Sequence, residues 1–168
     1  VARELGVPLD VVVPRKVGAP GNPELAIGAV APGIRVLDPR MIRALGVSER
    51  YLEREIATQE AEIERRQRAY RGGRPPLQLA GRTGILVDDG LATGATMEVA
   101  VRALRGLGAT RIVVAVPVAS REARNRIAAL ADEVVCLEAP MFFSAVGQWY
   151  RDFGQTSDAE VSELLARA

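Results

Sequence analysis

Between residues 84 and 137, short β-branched runs alternate with stretches of helical period. They read GILV at 84–87, a helical pattern at 96–107 ended near Gly108, RIVVAV at 111–116, a helical pattern at 120–131, and VVCL at 134–137. Runs this apolar, joined by two crossovers of helical length, predict parallel strands with right-handed connections and helices packed on the sheet's faces. The expected fold class is α/β, a parallel sheet with flanking helices.

The rest of the chain follows other rhythms. ARELG at the start reads as a last helical turn closed by Gly6. LDVVV at 9–13 predicts a buried strand feeding the loop PRKVGAPGNPE, and AIGAVA (26–31) and IRVL (34–37) predict a hairpin. Residues 48–71 predict a long charged helix with one apolar stripe, Leu52, Ile56, Ile63 and Tyr70, and i,i+4 pairs Glu62/Arg66 and Glu64/Arg68. GGRPPLQLAGR is a turn-rich connector, and a tail helix should start at Ser157, where Ser157 and Glu160 form a capping box. The stretch after Pro140 holds Phe142, Phe143, Trp149, Tyr150 and Phe153, five of the chain's seven aromatic residues, and is expected to form a small cap over residues 140–168. We expect one domain over 1–168 that lacks an N-terminal segment, because an element is missing upstream of Gly6.

Composition narrows the chemistry. The chain has 168 residues, of which 48% are apolar and 26% charged, enough for one core. Histidine is absent, which excludes Ser-His-Asp and Cys-His catalysis and imidazole zinc sites. Cys136, the only cysteine, lies within VVCL and reads as a small core residue. The net charge of +1 argues against an extended nucleic-acid surface, and Lys16 is the only lysine among 22 basic residues. With no long apolar run and no signal sequence, a cytoplasmic setting and no membrane partner are expected.

The candidate chemistry lies in ILVDDGLATGAT, residues 85–96. A carboxylate pair, Asp88 and Asp89, ends a buried strand. A Gly/Thr loop then leads into a helix, whose N-terminus offers free backbone N–H groups to an anion. Neither the Walker A nor the G-x-G-x-x-G pattern fits. Two acids that can accept from vicinal hydroxyls or help position Mg²⁺, followed by a phosphate loop, ask for a phosphate on a diol-bearing sugar. This segment resembles the phosphoribosyl pyrophosphate motif of type I phosphoribosyltransferases. The resemblance implies that Asp88 and Asp89 contact the ribose hydroxyls directly or through Mg²⁺. It implies too that Ala92, Thr93, Gly94, Ala95 and Thr96, with Gly90 in the same segment, hold the 5′-phosphate. The Arg15-Lys16 pair in VPRKVG resembles the pair that contacts pyrophosphate in the adenine and orotate members, and RKVGAPGNPE and YRGGRPPL ahead of VDDG resemble a subgroup of predicted phosphoribosyltransferases.

Two departures accompany the resemblance. Ala92 stands where the 6-oxopurine members carry an acid, so no general acid or base is assigned, and the family's first pyrophosphate loop has no counterpart here. The expected activity is transfer of a 5-phosphoribosyl group from phosphoribosyl pyrophosphate to a small base-like acceptor, with release of pyrophosphate. The acceptor pocket is expected at Pro117, Val118 and Ser120, covered by Phe142 and Trp149, with Phe143 and Tyr150 as further rings. The chain could also act as a homo-oligomer. A rival reading is a regulator that binds the sugar phosphate without chemistry and uses Arg65, Arg66, Arg68, Arg71 and Arg74 on nucleic acid. A third is a hydrolase or kinase-like enzyme of the same fold.

Overall fold

The computed structural model describes residues 1–72, 75 and 78–167, and of Glu24 the backbone alone. Gly73, Arg74, Pro76 and Leu77 of the predicted connector lie outside the described residues. After a short helix α1 (Ala2–Leu5) the chain forms an antiparallel meander, β1 (Arg15–Ala19), β2 (Asn22–Ala31) and β3 (Ile34–Leu37), in the order β1-β2-β3. Helices α2 (Pro39–Ala44) and α3 (Glu49–Arg71) follow. Then come β4 (Thr83–Val87), α4 (Ala95–Gly106), β5 (Arg111–Val118), α5 (Arg121–Ala128) and β6 (Glu133–Glu138), with β4-β5-β6 forming a parallel sheet. A 3-10 turn (Val146–Trp149) and helix α6 (Asp158–Ala166) complete the chain.

The predicted strand at 9–13 does not form. Residues 7–14 carry no ladder among the described residues, and pairing begins at Arg15, just after Pro14, which has no N–H to donate. The segment instead spans two cores: Val13 is buried with the meander while Val12 packs on the parallel sheet. What reads as a loop at 14–24 is therefore mostly β1, its turn and the start of β2. Helix α2 has a signal that the periodicity missed, since Asp38 caps it through the N–H groups of Arg40 and Met41 and Pro39 takes the first position.

Helix α3 runs as its pattern predicts. Ser48 caps it, Gly72 ends it with a left-handed φ of 54°, and Ile56, Ile63 and Tyr70 are buried against β1 and β2. Four of its arginines have acidic partners: Arg65 and Arg66 both bind Glu62, Arg68 binds Glu64, and Arg71 binds Asp10. The two guanidinium groups on Glu62 hold its carboxyl at about 2. The capping box of Ser157 and Glu160 is present, but α6 lies on α3, where Tyr70 donates to Asp158 at 2.6 Å and Leu165 is buried. The predicted cap thus divides: residues 141–153 stay near the parallel sheet and α6 packs elsewhere.

Helix α4 organises the rest. Met97, Ala100, Val101 and Leu104 are buried against the parallel sheet, while Val99 and Ala103 are buried against Ala29 and Ala31 of the meander. Gly84 lets the helix approach, because a Cβ there would lie 2.5 Å from the Leu104 side chain. Among the described residues only this face of the parallel sheet is covered. Ile112, Val114, Val116 and Val118 point into the helices, whereas Ile85, Val87, Val135 and Leu137 lie exposed on the opposite face, with Val87 and Val135 in one row across Ala115. The parallel sheet with flanking helices forms as expected, with α4 and α5 both packed on this face. Cys136 is half-buried, its thiol donating to the Glu138 carbonyl.

An open apolar face of this kind binds hydrophobic dyes. Replacing Val135 and Leu137, 43% and 75% exposed, by Thr is expected to cut the fluorescence of bound 8-anilinonaphthalene-1-sulfonate at neutral pH while changing unfolding by less than about 1 kcal/mol. Titration of both proteins with dye and urea checks this; a parent chain that binds no dye contradicts it.

Candidate active site

The site is built at the C-terminal end of β4, where the strand stops and the chain turns into α4. Asp88 still takes part in the ladder, its N–H donating to Ala115 at 3.4 Å, and Leu91 rejoins the sheet by donating to Val118 at 3.0 Å and pairing with Ala119. Between these two anchors Asp88 and Asp89 bulge outward at the sheet's edge. The loop is then tied to the start of α5: the Ser120 N–H donates to Leu91 at 2.9 Å and its hydroxyl donates to Ala92 at 2.7 Å.

From Ala92 the backbone turns its donors outward. Gly94 caps α4 with φ 76°, a left-handed conformation that admits glycine readily, and no side chain caps the helix through it. Only the Ala95 N–H is met, by Thr93 Oγ1 at 3.4 Å, and the first N–H with an intrahelical acceptor is that of Glu98. Among the described residues the backbone N–H groups of Ala92, Thr93, Gly94, Thr96 and Met97 have no protein acceptor. A helix start with converging unsatisfied donors and a positive dipole end is a site for a phosphate.

The acids complement this. Neither Asp88 nor Asp89 enters an ion pair among the described residues. Burial pushes the Asp88 carboxyl above the usual aspartate range, although the Asp89 N–H donates to it at 3.0 Å. The group is open to solvent on one side and crowded by protein on the others. No cluster of three or more metal-binding side chains occurs among the described residues. Two adjacent carboxylates beside a phosphate site nevertheless suit Mg²⁺, which keeps several waters and is held by one or two carboxylates together with substrate oxygens.

The other expected residues distribute unequally. Arg15 and Lys16 are neighbours in β1 and so face opposite sides of the meander. Arg15 pairs across to Val30 on the α3 side and donates to Gln59 at 2.9 Å; Lys16 pairs across to Ala29 on the α4 side and is exposed. The two side chains thus lie on opposite faces of the meander, with Arg15 turned away from α4. Pro117 and Val118 belong to β5 rather than to a turn, and Val118 is buried with its carbonyl engaged by Leu91. The Ser120 hydroxyl, donating to Ala92 and accepting from Ala123, has no capacity left to donate to an acceptor ring. Phe142 is 86% exposed, Trp149 is exposed and Phe143 half-buried. Tyr150 alone among these rings hydrogen-bonds to the acidic segment, at 2.7 Å.

The model of the phosphoribosyl transferase domain matches residues 1–152. The chain belongs to this family. It is 46% identical over its full length to each of two proteins of Mycobacterium tuberculosis, from strains CDC 1551 / Oshkosh and H37Rv, both named "Putative phosphoribosyl transferase". The chain spans 38% of the length of these relatives. It is also similar to the crystal structure of TT1426 from Thermus thermophilus, with a TM-score of 0.79 and 50% identity over 99% of this chain and 79% of that one.

For a phosphoribosyl transferase domain, Arg126 gains weight without having been singled out in the sequence, and Tyr150 gains a contact the sequence did not reveal. Arg126 of α5 reaches the Thr93 carbonyl at 3.4 Å, which sets a cation at the phosphate loop. The sequence offers only its position six residues after the Ser120 cap. Tyr150 was legible as a ring; that its hydroxyl serves the loop depends on a fold that brings positions 61 apart together.

The conformation of Gly94 is open to a direct test. A Cβ there would meet Ala123 and Ile127 at an ordinary 3.5 Å, so the cost of Gly94→Ala is conformational, about 1–2 kcal/mol. Gly106, in the same helix with a Cβ site 3.6 Å from Ile34, has no positive φ, and Gly106→Ala is expected to be neutral or stabilising by up to about 1 kcal/mol. Urea unfolding of both variants checks the contrast; equal effects contradict it.

Proposed function

We propose that this domain transfers the 5-phosphoribosyl group of phosphoribosyl pyrophosphate to a ring nitrogen of a small base-like acceptor, with Mg²⁺ bound at Asp88 and Asp89. The observation that carries this reading is the carboxylate pair standing beside the uncapped start of α4. The bond from the anomeric carbon to the pyrophosphate oxygen breaks, a bond to the acceptor nitrogen forms, the pyrophosphate leaves with the electron pair, and the acceptor gives up its proton to water. Bound there, Mg²⁺ supplies charge to the leaving pyrophosphate.

The chain's residues chiefly hold and orient. The free N–H groups from Ala92 to Met97, with the hydroxyls of Thr93 and Thr96 beside them, receive the 5′-phosphate, and Asp88 and Asp89 accept from the ribose hydroxyls. Lys16, on the α4 side of β1, is the cation suited to pyrophosphate, and the Gln59 contact leaves Arg15 out of that role. The segment 141–153 lies against the loop through Val146 and Tyr150, which supports an acceptor bound beneath it. The nucleic-acid reading loses its basis, because Arg65, Arg66, Arg68 and Arg71 all carry acidic partners and Arg74 lies outside the described residues. No helix among the described residues is long and apolar enough to cross a membrane, and the substrate fits a cytoplasmic setting.

Replacing Asp88 and Asp89 together by Asn keeps their shape and removes their charge. The expected result is loss of affinity for Mg²⁺ and phosphoribosyl pyrophosphate by one to a few kcal/mol, on the scale of charge-assisted hydrogen bonds, with unfolding unchanged. Titration calorimetry measures the affinity. Equal affinity of parent and double variant contradicts the assignment. A screen of free bases and ring carboxylates for pyrophosphate release tests the reaction itself; release at the same rate with no acceptor would make the domain a hydrolase.

A further inference from the structure

The Asp89 peptide is held from both ends. Its N–H donates to Asp88 Oδ1 at 3.0 Å, and its carbonyl oxygen accepts from the Tyr150 hydroxyl at 2.7 Å. Among the described residues this is the one side-chain hydrogen bond that reaches the acidic pair from another part of the chain. The donor is itself fixed. The Tyr150 ring lies 5.3 Å from that of Phe153, and Phe153 closes over Gly147, where a Cβ would stand 2.8 Å from the ring. At the start of the same turn Val146 packs on Gly90, whose Cβ would lie 2.8 Å from a Val146 methyl and 2.9 Å from the Val118 carbonyl oxygen. The cap is therefore a small plate with two pins on the loop, an apolar pin at Gly90 and a polar one at Asp89.

We propose that Tyr150 is a positioning residue for the ribose site, its hydroxyl fixing the Asp89 peptide and so coupling the aromatic cap to the carboxylate pair. This rests on the reading of residues 88–96 as a sugar-phosphate site. A peptide free to rotate between Asp88 and Gly90 would carry the Asp89 carboxylate with it, and a site loosened in this way binds less well because it must be ordered on binding. The coupling runs in both directions. A ligand that lifts the plate withdraws the Tyr150 hydroxyl from Asp89, and a ligand that orders Asp89 closes the plate. An acceptor seated beneath the cap and a sugar phosphate seated on the loop thereby affect one another through this latch as well as through their direct contact.

Tyr150→Phe removes the hydroxyl and keeps the ring on Phe153, and Val146→Ala weakens the other pin. In the chain without ligand, both variants should speed amide hydrogen exchange at Asp89 and Leu91 by about two- to tenfold, the range expected for one net hydrogen bond, and leave exchange within α3 unchanged. Calorimetry with Mg²⁺ and phosphoribosyl pyrophosphate should show the dissociation constant of Tyr150→Phe raised by a similar factor, with an unchanged unfolding midpoint. Exchange at Asp89 and Leu91 that is the same in Tyr150→Phe and the parent overturns the latch, whether or not the sugar phosphate binds. Altered exchange with unchanged affinity, in a parent that binds, overturns the positioning role. A parent that binds no phosphoribosyl pyrophosphate overturns the proposed function instead, and the exchange result still decides the latch.

Discussion

Helix α4 is buried on two sides, and most of what this domain presents to a ligand depends on that constraint. One flank, with Met97, Val101 and Leu104, belongs to the parallel sheet, and the other, with Val99 and Ala103, belongs to the meander. A helix gripped by two sheets has little freedom to slide or rotate. Its N-terminus therefore points its free N–H groups at one place, and the loop before it is pulled tight between the end of β4 and the start of α5. Small residues make the grip possible: Gly84 admits Leu104, and Ala29, Ala31, Ala100 and Ala103 keep the layers close.

The same constraint lets one short segment build the site. The donors are backbone groups and the acids are adjacent in sequence, so a single turn supplies both, and the two sheets supply rigidity from behind. What covers the site comes from far along the chain. Val146 and Tyr150 settle on Gly90 and Asp89 because glycine at 90 leaves room for them. Charge on the outer surface is arranged differently: on α3 and α4, Arg65, Arg66, Arg68, Arg71, Arg102 and Arg105 each meet an acid on their own helix or on a neighbouring element. Lys16, Asp88 and Asp89 enter no ion pair among the described residues.

How much of this the sequence disclosed varies with the range of the interaction involved. The parallel strands, α3 with its buried Ile56, Ile63 and Tyr70, and the Ser157 capping box are local patterns, and all were legible. The strand-turn-helix unit that carries the acid pair was legible for the same reason, since it is contiguous in the chain. LDVVV misled because β-branched residues favour extended backbone whether or not a partner strand is present; here the run spans two cores without a ladder. The Arg15-Lys16 pair misled in the opposite way, because read as a loop it could converge on one ligand, whereas strand alternation sends the two side chains apart. The tasks of Ser120 and Tyr150 depend on tertiary partners, and no spacing in the sequence could reveal them.

The central claim is that the start of α4 and the acids before it hold a phosphorylated ribose. A crystal structure of the domain with Mg²⁺ and a non-reactive phosphoribosyl pyrophosphate analogue tests it most directly. The account predicts the 5′-phosphate on the backbone N–H groups between Ala92 and Met97, with the ribose hydroxyls on Asp88 and Asp89. A phosphate bound instead in the cleft between β3 and α4, among Arg35, Arg102 and Arg105, with the start of α4 empty, would contradict it.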